Sequence, residues 1–196
     1  MDIIKLSMSA EVLINKANLT LEADGIISRN KVQATIQRNM GQGICFILPS
    51  TTLIRAHIDN LFSTQRNTVI AQNGECVCLC EHFLAACALV NLTDIDIYLN
   101  ENELPFADGS AMCWLDLFRE NALLPTKVPI ARPLLAAVVI RDENDSSRYI
   151  ELIPSESFRV TYHLDWKHPL IGIQEYTWNS EIDAIDLLAK ARCRSR

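Results

Sequence analysis

Three runs of sequence in close succession decide the fold: Cys80-Glu81-His82-Phe83-Leu84-Ala85-Ala86, then Asp94-Ile95-Asp96-Ile97-Tyr98-Leu99, then Glu103-Leu104-Pro105-Phe106-Ala107-Asp108-Gly109-Ser110-Ala111. Ala and Leu dominate Glu81 to Val90, which predicts a helix closed by Asn91. In the second run Ile95, Ile97 and Leu99 share one face while Asp94, Asp96 and Tyr98 take the other, the alternation of a half-buried strand. Pro105 ends that strand. Asp108-Gly109-Ser110 then opens a second helix, with Trp114, Leu115 and Phe118 at helical spacing.

Upstream, Val32, Ala34 and Ile36 alternate with polar residues, and Gly43 to Leu48 is an apolar run stopped by Pro49. Both read as strands. Asn73-Gly74 lies between Thr68-Val69-Ile70 and Cys76-Val77-Cys78, a hairpin signal because both turn residues accept positive φ. Downstream, Pro125, Pro129 and Pro133 punctuate the chain. A domain boundary is expected there, giving 1–126 and 127–196. Beyond it, Leu134 to Arg141, Arg148 to Ile153, Phe158 to Trp166 and Gln174 to Trp178 read as strands. A closing helix is expected from about Ser180 to Arg192, with Ile182, Ile185 and Leu188 on one face.

The chain has 196 residues, 49% hydrophobic and 21% charged, which excludes a disordered polymer. A net charge of −6 argues against a nucleic-acid binder, which needs basic surface to displace counterions. The longest tempting apolar stretch, His82 to Thr93, falls far short of the roughly 20 residues of a membrane span. Met1-Asp2-Ile3-Ile4-Lys5 lacks the basic start of a secretory leader, so a cytoplasmic location is expected. Seven cysteines, an odd number, read as reduced thiols rather than a disulfide framework.

The dipeptide Glu81-His82 is the place to look for chemistry. An imidazole there can bind a metal, and the neighbouring carboxylate can take a proton from water. Read in isolation, the pair is first of all a solvated helix start, with the acid favoured by the helix dipole. Cys76, Cys78, Cys80 and His82 alternate in a metal-like way. On a strand, however, such residues sit about 6.6 Å apart, too far for neighbours on one zinc with Zn–S near 2.3 Å. Small apolar side chains on one strand face are expected instead, and Cys87 and Cys113 read as helix-core residues.

Together the three opening runs resemble the first domain of the UDP-3-O-acyl-N-acetylglucosamine deacetylases, zinc enzymes of lipid A biosynthesis. Tyr162-His163-Leu164-Asp165-Trp166-Lys167-His168-Pro169 resembles a later segment of that family, and Ala191-Arg192-Cys193 another. The resemblance implies an α+β fold: a two-layer domain of sheet plus helices, followed by an incomplete second domain of the same kind. It implies that Glu81 is the general base and His82 a zinc ligand. Asp165 and Trp166 fall at positions near the uridine diphosphate of the substrate, with Trp166 replacing Phe. Cys193 stands where the family has the threonine that stabilises the tetrahedral intermediate.

The departures from the family are specific. Its other two zinc ligands come from a motif of His followed four residues later by Asp. The histidines here are His57, His82, His163 and His168, and the residues four positions on are Leu61, Ala86, Lys167 and Gly172. Ile27, in Gly25-Ile26-Ile27-Ser28-Arg29, stands in place of another family histidine. A catalytic zinc needs three protein ligands and an open position. The expectation is therefore a family relative not competent for deacetylation by itself, with no cofactor in the isolated chain. A role in binding a UDP-sugar or an acyl chain, or in assembly as a homo-oligomer, would remain. The alternative is an active zinc deacetylase whose site is completed by another chain.

Overall fold

A computed structural model describes residues 19–123 and 133–192. The chain divides into two compact units, Met1–Val128 with Ala189–Arg196, and Pro129–Leu188. The architecture is α+β. The boundary expected after residue 126 lies outside the described residues.

The first unit is built on a five-stranded sheet. Its strands are β1 (Leu19–Asp24), β2 (Lys31–Arg38), β3 (Ile44–Ile47), β4 (Leu53–Arg55) and β8 (Ile95–Leu99). They lie in the order β1-β2-β8-β3-β4, with β3 and β8 parallel and the other pairs antiparallel. The register places Leu19, Ile36, Ile97, Phe46 and Ile54 in one row across all five strands. All five are buried, whereas Tyr98 on the opposite face is 40% exposed. One face of the sheet therefore makes the core, as the period-two pattern requires.

Two helices supply the other layer, α1 (Glu81–Leu89) and α2 (Met112–Glu120). Phe83 of α1 is the hub. Its ring lies 4.9 Å from Trp114, 5.9 Å from Phe46 and 6.2 Å from Phe118, centroid to centroid. Helix α1 ends as expected, with Asn91 at φ 54°. Beside the large sheet, β5 (Leu61–Ser63), β6 (Val69–Gln72) and β7 (Glu75–Val77) form a smaller antiparallel one. The β6–β7 turn is the predicted Asn73-Gly74, at φ 55° and 82°.

The second unit contains two antiparallel ribbons. One joins β9 (Val138–Arg141) to β10 (Tyr149–Leu152), and the other joins β11 (Arg159–Trp166) to β12 (Gly172–Asn179). Trp178 is buried, with its indole N–H donating to the Ala184 carbonyl at 3.0 Å. The final helix, α3 (Ile185–Ala189), is much shorter than the sequence suggests, and Ile182 is 80% exposed rather than part of an apolar face. Local polar bonds explain this. The Asn179 amide donates to the Asp183 carboxylate at 2.8 Å, and the Asp183 amide donates back to the Asn179 carbonyl at 2.9 Å. Such side-chain bonds offer the backbone an alternative to helix. No helix among the described residues is long and apolar enough to cross a membrane.

Candidate functional site

The β6–β7 hairpin delivers the chain to the start of α1. After β7 the strand changes partner, and Cys78 pairs with Glu103. Leu79 then adopts φ 61° and turns the chain into the helix. This kink puts Glu81 and His82 in the first turn of α1, both half-buried. The Glu81 carboxylate accepts the Thr68 amide at 2.9 Å. The Thr68 carbonyl in turn accepts the Cys80 amide at 3.3 Å. One short segment of the β5–β6 connection thus clamps the residues that open the helix.

The cysteines leading into this turn behave as packed thiols. Burial, with the neighbouring Cys76 thiol adding to it, pushes Cys78 up to about 11. Burial pushes Cys80 further above the ordinary thiol range, with Glu81 adding to it. Cys87 is buried in the core, and burial raises Cys113 to about 11. Among the described residues, no group of three or more His, Cys, Asp or Glu side chains is placed to hold a metal ion.

A second brace joins the turn after β1 to the segment before α2. Glu103 is buried, and its carboxylate accepts the amides of Ile26 and Ile27 at 3.2 and 3.0 Å and that of Ser28 at 2.7 Å. Burial pushes this carboxyl up. The Ser28 hydroxyl and the three amides outweigh that effect and hold it below its ordinary value. A Cβ at Gly25 would collide with the same carboxylate, which is why glycine stands there. Ile27, expected from the sequence to replace a family histidine, is 56% exposed on this turn.

Asp108 accepts the Ser110 hydroxyl at 2.7 Å and pairs with the Arg192 guanidinium at 3.3 Å. The Ser110 hydroxyl and, more weakly, Arg192 hold its carboxyl below the usual aspartate value. Arg192 also forms a backbone bridge with Ser110, and the Ala111 amide donates to the Ala189 carbonyl at 3.0 Å. Cys193, the next residue, lies outside the described residues.

Asp165 and Trp166 belong to the second unit, at the end of β11, paired with Ile173 and Gly172. Asp165 is exposed and Trp166 is 41% exposed. The structure thus brings Glu81 and His82 together in one unit and carries Asp165 and Trp166 in the other. Of the remaining histidines, His163 faces Glu175 at 3.3 Å, and His57 faces Asp59 at the same distance. An open cleft of about 680 Å³ is lined by residues including Arg55, His57, Asp59, Asn60 and Gln72, none of them an expected site residue. Sequence reading passed over the Thr68 clamp, and quoted Glu103 as part of a run without its brace. Neither contact has a signal of its own in the sequence, because each joins groups far apart along the chain.

Comparison with known proteins gives the family. The family model for UDP-3-O-acyl N-acetylglycosamine deacetylase matches residues 15–194. The chain belongs to this deacetylase family. Among its relatives is the UDP-3-O-acyl-N-acetylglucosamine deacetylase of Thermosynechococcus vestitus, 31% identical over 76% of this chain and 53% of its own. The enzyme of the same name from Syntrophus aciditrophicus is 26% identical over 82% of this chain and 52% of its own. That of Campylobacter fetus subsp. fetus is 28% identical over 70% and 47%. The chain spans about half the length of these deacetylase relatives.

Proposed function

We propose that these 196 residues form a deacetylase-family chain that binds an acylated UDP-N-acetylglucosamine but does not hydrolyse it unaided, in the cytoplasm. The observation that carries this is the donor set. His82 stands at a family ligand position, and no histidine of the chain is followed four residues on by aspartate. A hydrolytic zinc takes three protein ligands, and the described residues place no group of side chains that could supply them. Glu81 keeps a carboxylate able to accept a proton. General-base assistance alone contributes about 10²–10⁴-fold, far below the accelerations of at least about 10⁶-fold typical of enzymes. On this reading Glu81 corresponds to the family's base, Asp165 and Trp166 to nucleotide-binding positions of the family, and Cys193 to its intermediate-stabilising threonine.

Self-association is part of the same proposal. Ile140 and Ile150 face each other across one ribbon of the second unit, with Val138 and Leu152 beside them, and all four are exposed. Tyr162 and Tyr176 do the same on the other ribbon. Apolar faces of this kind favour burial against a second copy. Light scattering of the purified chain is expected to give a mass above the monomer across micromolar concentrations.

The decisive experiment combines metal analysis with acetate release from UDP-3-O-acyl-N-acetylglucosamine by the purified single chain. Binding without turnover, and less than one zinc per chain, is expected. One equivalent of zinc with turnover overturns the reading. A second reading, an active deacetylase completed by another chain, draws on the Thr68 clamp that holds the Glu81 carboxylate at the start of α1. Turnover that appears only with a second chain, and disappears in Glu81→Gln, would establish it.

A further inference from the structure

The open cleft of about 680 Å³ lies in the first unit, where β4 and β6 approach each other. Its volume is within the range of about 300–1,000 Å³ that small-molecule sites occupy. Two of its residues carry nitrogen donors suited to an anion, Arg55 at the end of β4 and His57 two residues on. The His57 amide donates to the Arg55 carbonyl at 2.8 Å, a tight three-residue turn that keeps the two donors close. Among the described residues no carboxylate pairs with the Arg55 guanidinium. His57 Nδ1 accepts the Asp59 amide at 3.3 Å, so the neutral ring carries its hydrogen on Nε2 and donates from there. Asn60 Nδ2 donates to the Arg55 carbonyl at 2.9 Å and to Gln72 Oε1 at 3.2 Å. The wall is thus fixed by bonds of its own. What these two amides keep for a ligand is the Asn60 oxygen and the Gln72 N–H groups.

We propose that this cleft binds a sugar phosphate, with the phosphate held by Arg55 and His57 and the hydroxyls by Asp59, Asn60 and Gln72. A guanidinium free of protein carboxylates is the stronger of the two anchors, because bonds between a charged donor and a phosphate are about twice as strong as neutral ones. The sugar follows from the rest of the lining. Hydroxyls both donate and accept, and the cleft offers both: acceptors on Asp59 and Asn60, donors on Gln72. The Asp59 carboxylate lies 3.3 Å from His57 Nδ1, on the side of the ring that does not carry the donated hydrogen. A nucleobase suits the cleft poorly, since bases are held by stacking on aromatic rings and the imidazole is the only ring among the described residues that line it. Glu81 and His82 do not line the cleft. The inference therefore stands whether or not the chain binds a UDP-sugar.

The test is calorimetric titration of the full chain with glucose 6-phosphate as the probe, and with glucose and inorganic phosphate as its two halves. Saturable binding of glucose 6-phosphate at millimolar concentrations or below is expected, tighter than that of inorganic phosphate, with none of glucose over the same range. Arg55→Gln should weaken glucose 6-phosphate by about tenfold or more, the loss of one charge-assisted bond. Its Tm without ligand should match the wild type, because the side chain is exposed. Gln72→Glu keeps the oxygen bonded by Asn60 and sets a negative charge against the phosphate. It should weaken binding likewise, and it decides the matter if Arg55→Gln fails to fold. Saturating UDP-N-acetylglucosamine should leave the titration unaltered. Absence of saturable binding, or unchanged affinity in the folded variants, overturns the inference. Inorganic phosphate binding as tightly as glucose 6-phosphate overturns the assignment of a sugar. Displacement by UDP-N-acetylglucosamine overturns the assignment of a separate site and leaves the UDP-sugar reading standing.

Discussion

At the scale of single residues, Glu103 carries one of the densest sets of contacts among the described residues. Three amides from the turn after β1 converge on it, and Gly25 leaves the space it fills. Its charged form is the one the fold stabilises, so the pH dependence has a definite sign. The stabilisation is complete above the ordinary carboxyl value of 4.5 and is lost as pH falls below it, through the lower value of the folded chain. Glu103→Gln keeps the volume but weakens the acceptors. It should destabilise the chain by about 1–3 kcal/mol at neutral pH and flatten the fall of Tm with pH on the acid side. Melts between neutral pH and the acid limit of folding measure both effects. A variant as acid-sensitive as the wild type would show that the brace is not the group responsible.

Elements are where the sequence was most legible, and where it was not is equally informative. Strands β2 and β8 declared themselves by alternation because only one face of the sheet is buried. Helices α1 and α2 declared themselves by composition and spacing, and the β6–β7 turn by Asn73-Gly74. Gly74 meets nothing within 4 Å, so a side chain there has room and pays only for the backbone. Gly74→Val should therefore cost about 1–2 kcal/mol, the price of a left-handed residue with a Cβ, read as a lower urea midpoint with an unchanged slope. The short strands β4 and β5 gave no periodic signal, having three residues each. The over-long final helix failed because apolar spacing at Ile182, Ile185 and Leu188 says nothing of the Asn179–Asp183 bonds that close the turn before it. The candidate site was legible as Glu81-His82, whereas the Thr68 clamp depends on tertiary approach and has no pattern to read.

For the whole molecule, the two units differ in how they spend their apolar residues. In the first, the row from Leu19 to Ile54 lies buried. Ile97→Ala, at the middle of that row, should cost about 2–5 kcal/mol in chemical denaturation. In the second, Ile140 is 60% exposed. Ile140→Ser should leave the denaturation midpoint within about 0.5 kcal/mol in dilute solution and reduce the mass seen by light scattering at higher concentration. Equal destabilisation by both substitutions would contradict this division.

The return of residues 189–192 to the first unit, where Arg192 meets Asp108 and the Ala189 carbonyl receives the Ala111 amide, makes that unit discontinuous in sequence. A cut placed after residue 128 would amputate part of the body it was meant to isolate. Asp108 would lose its guanidinium counter-ion, and the segment leading into α2 would lose its backbone bridge. Anyone wishing to handle the first unit separately must keep its tail, by splicing 189–196 back on through a linker or by supplying it as a peptide.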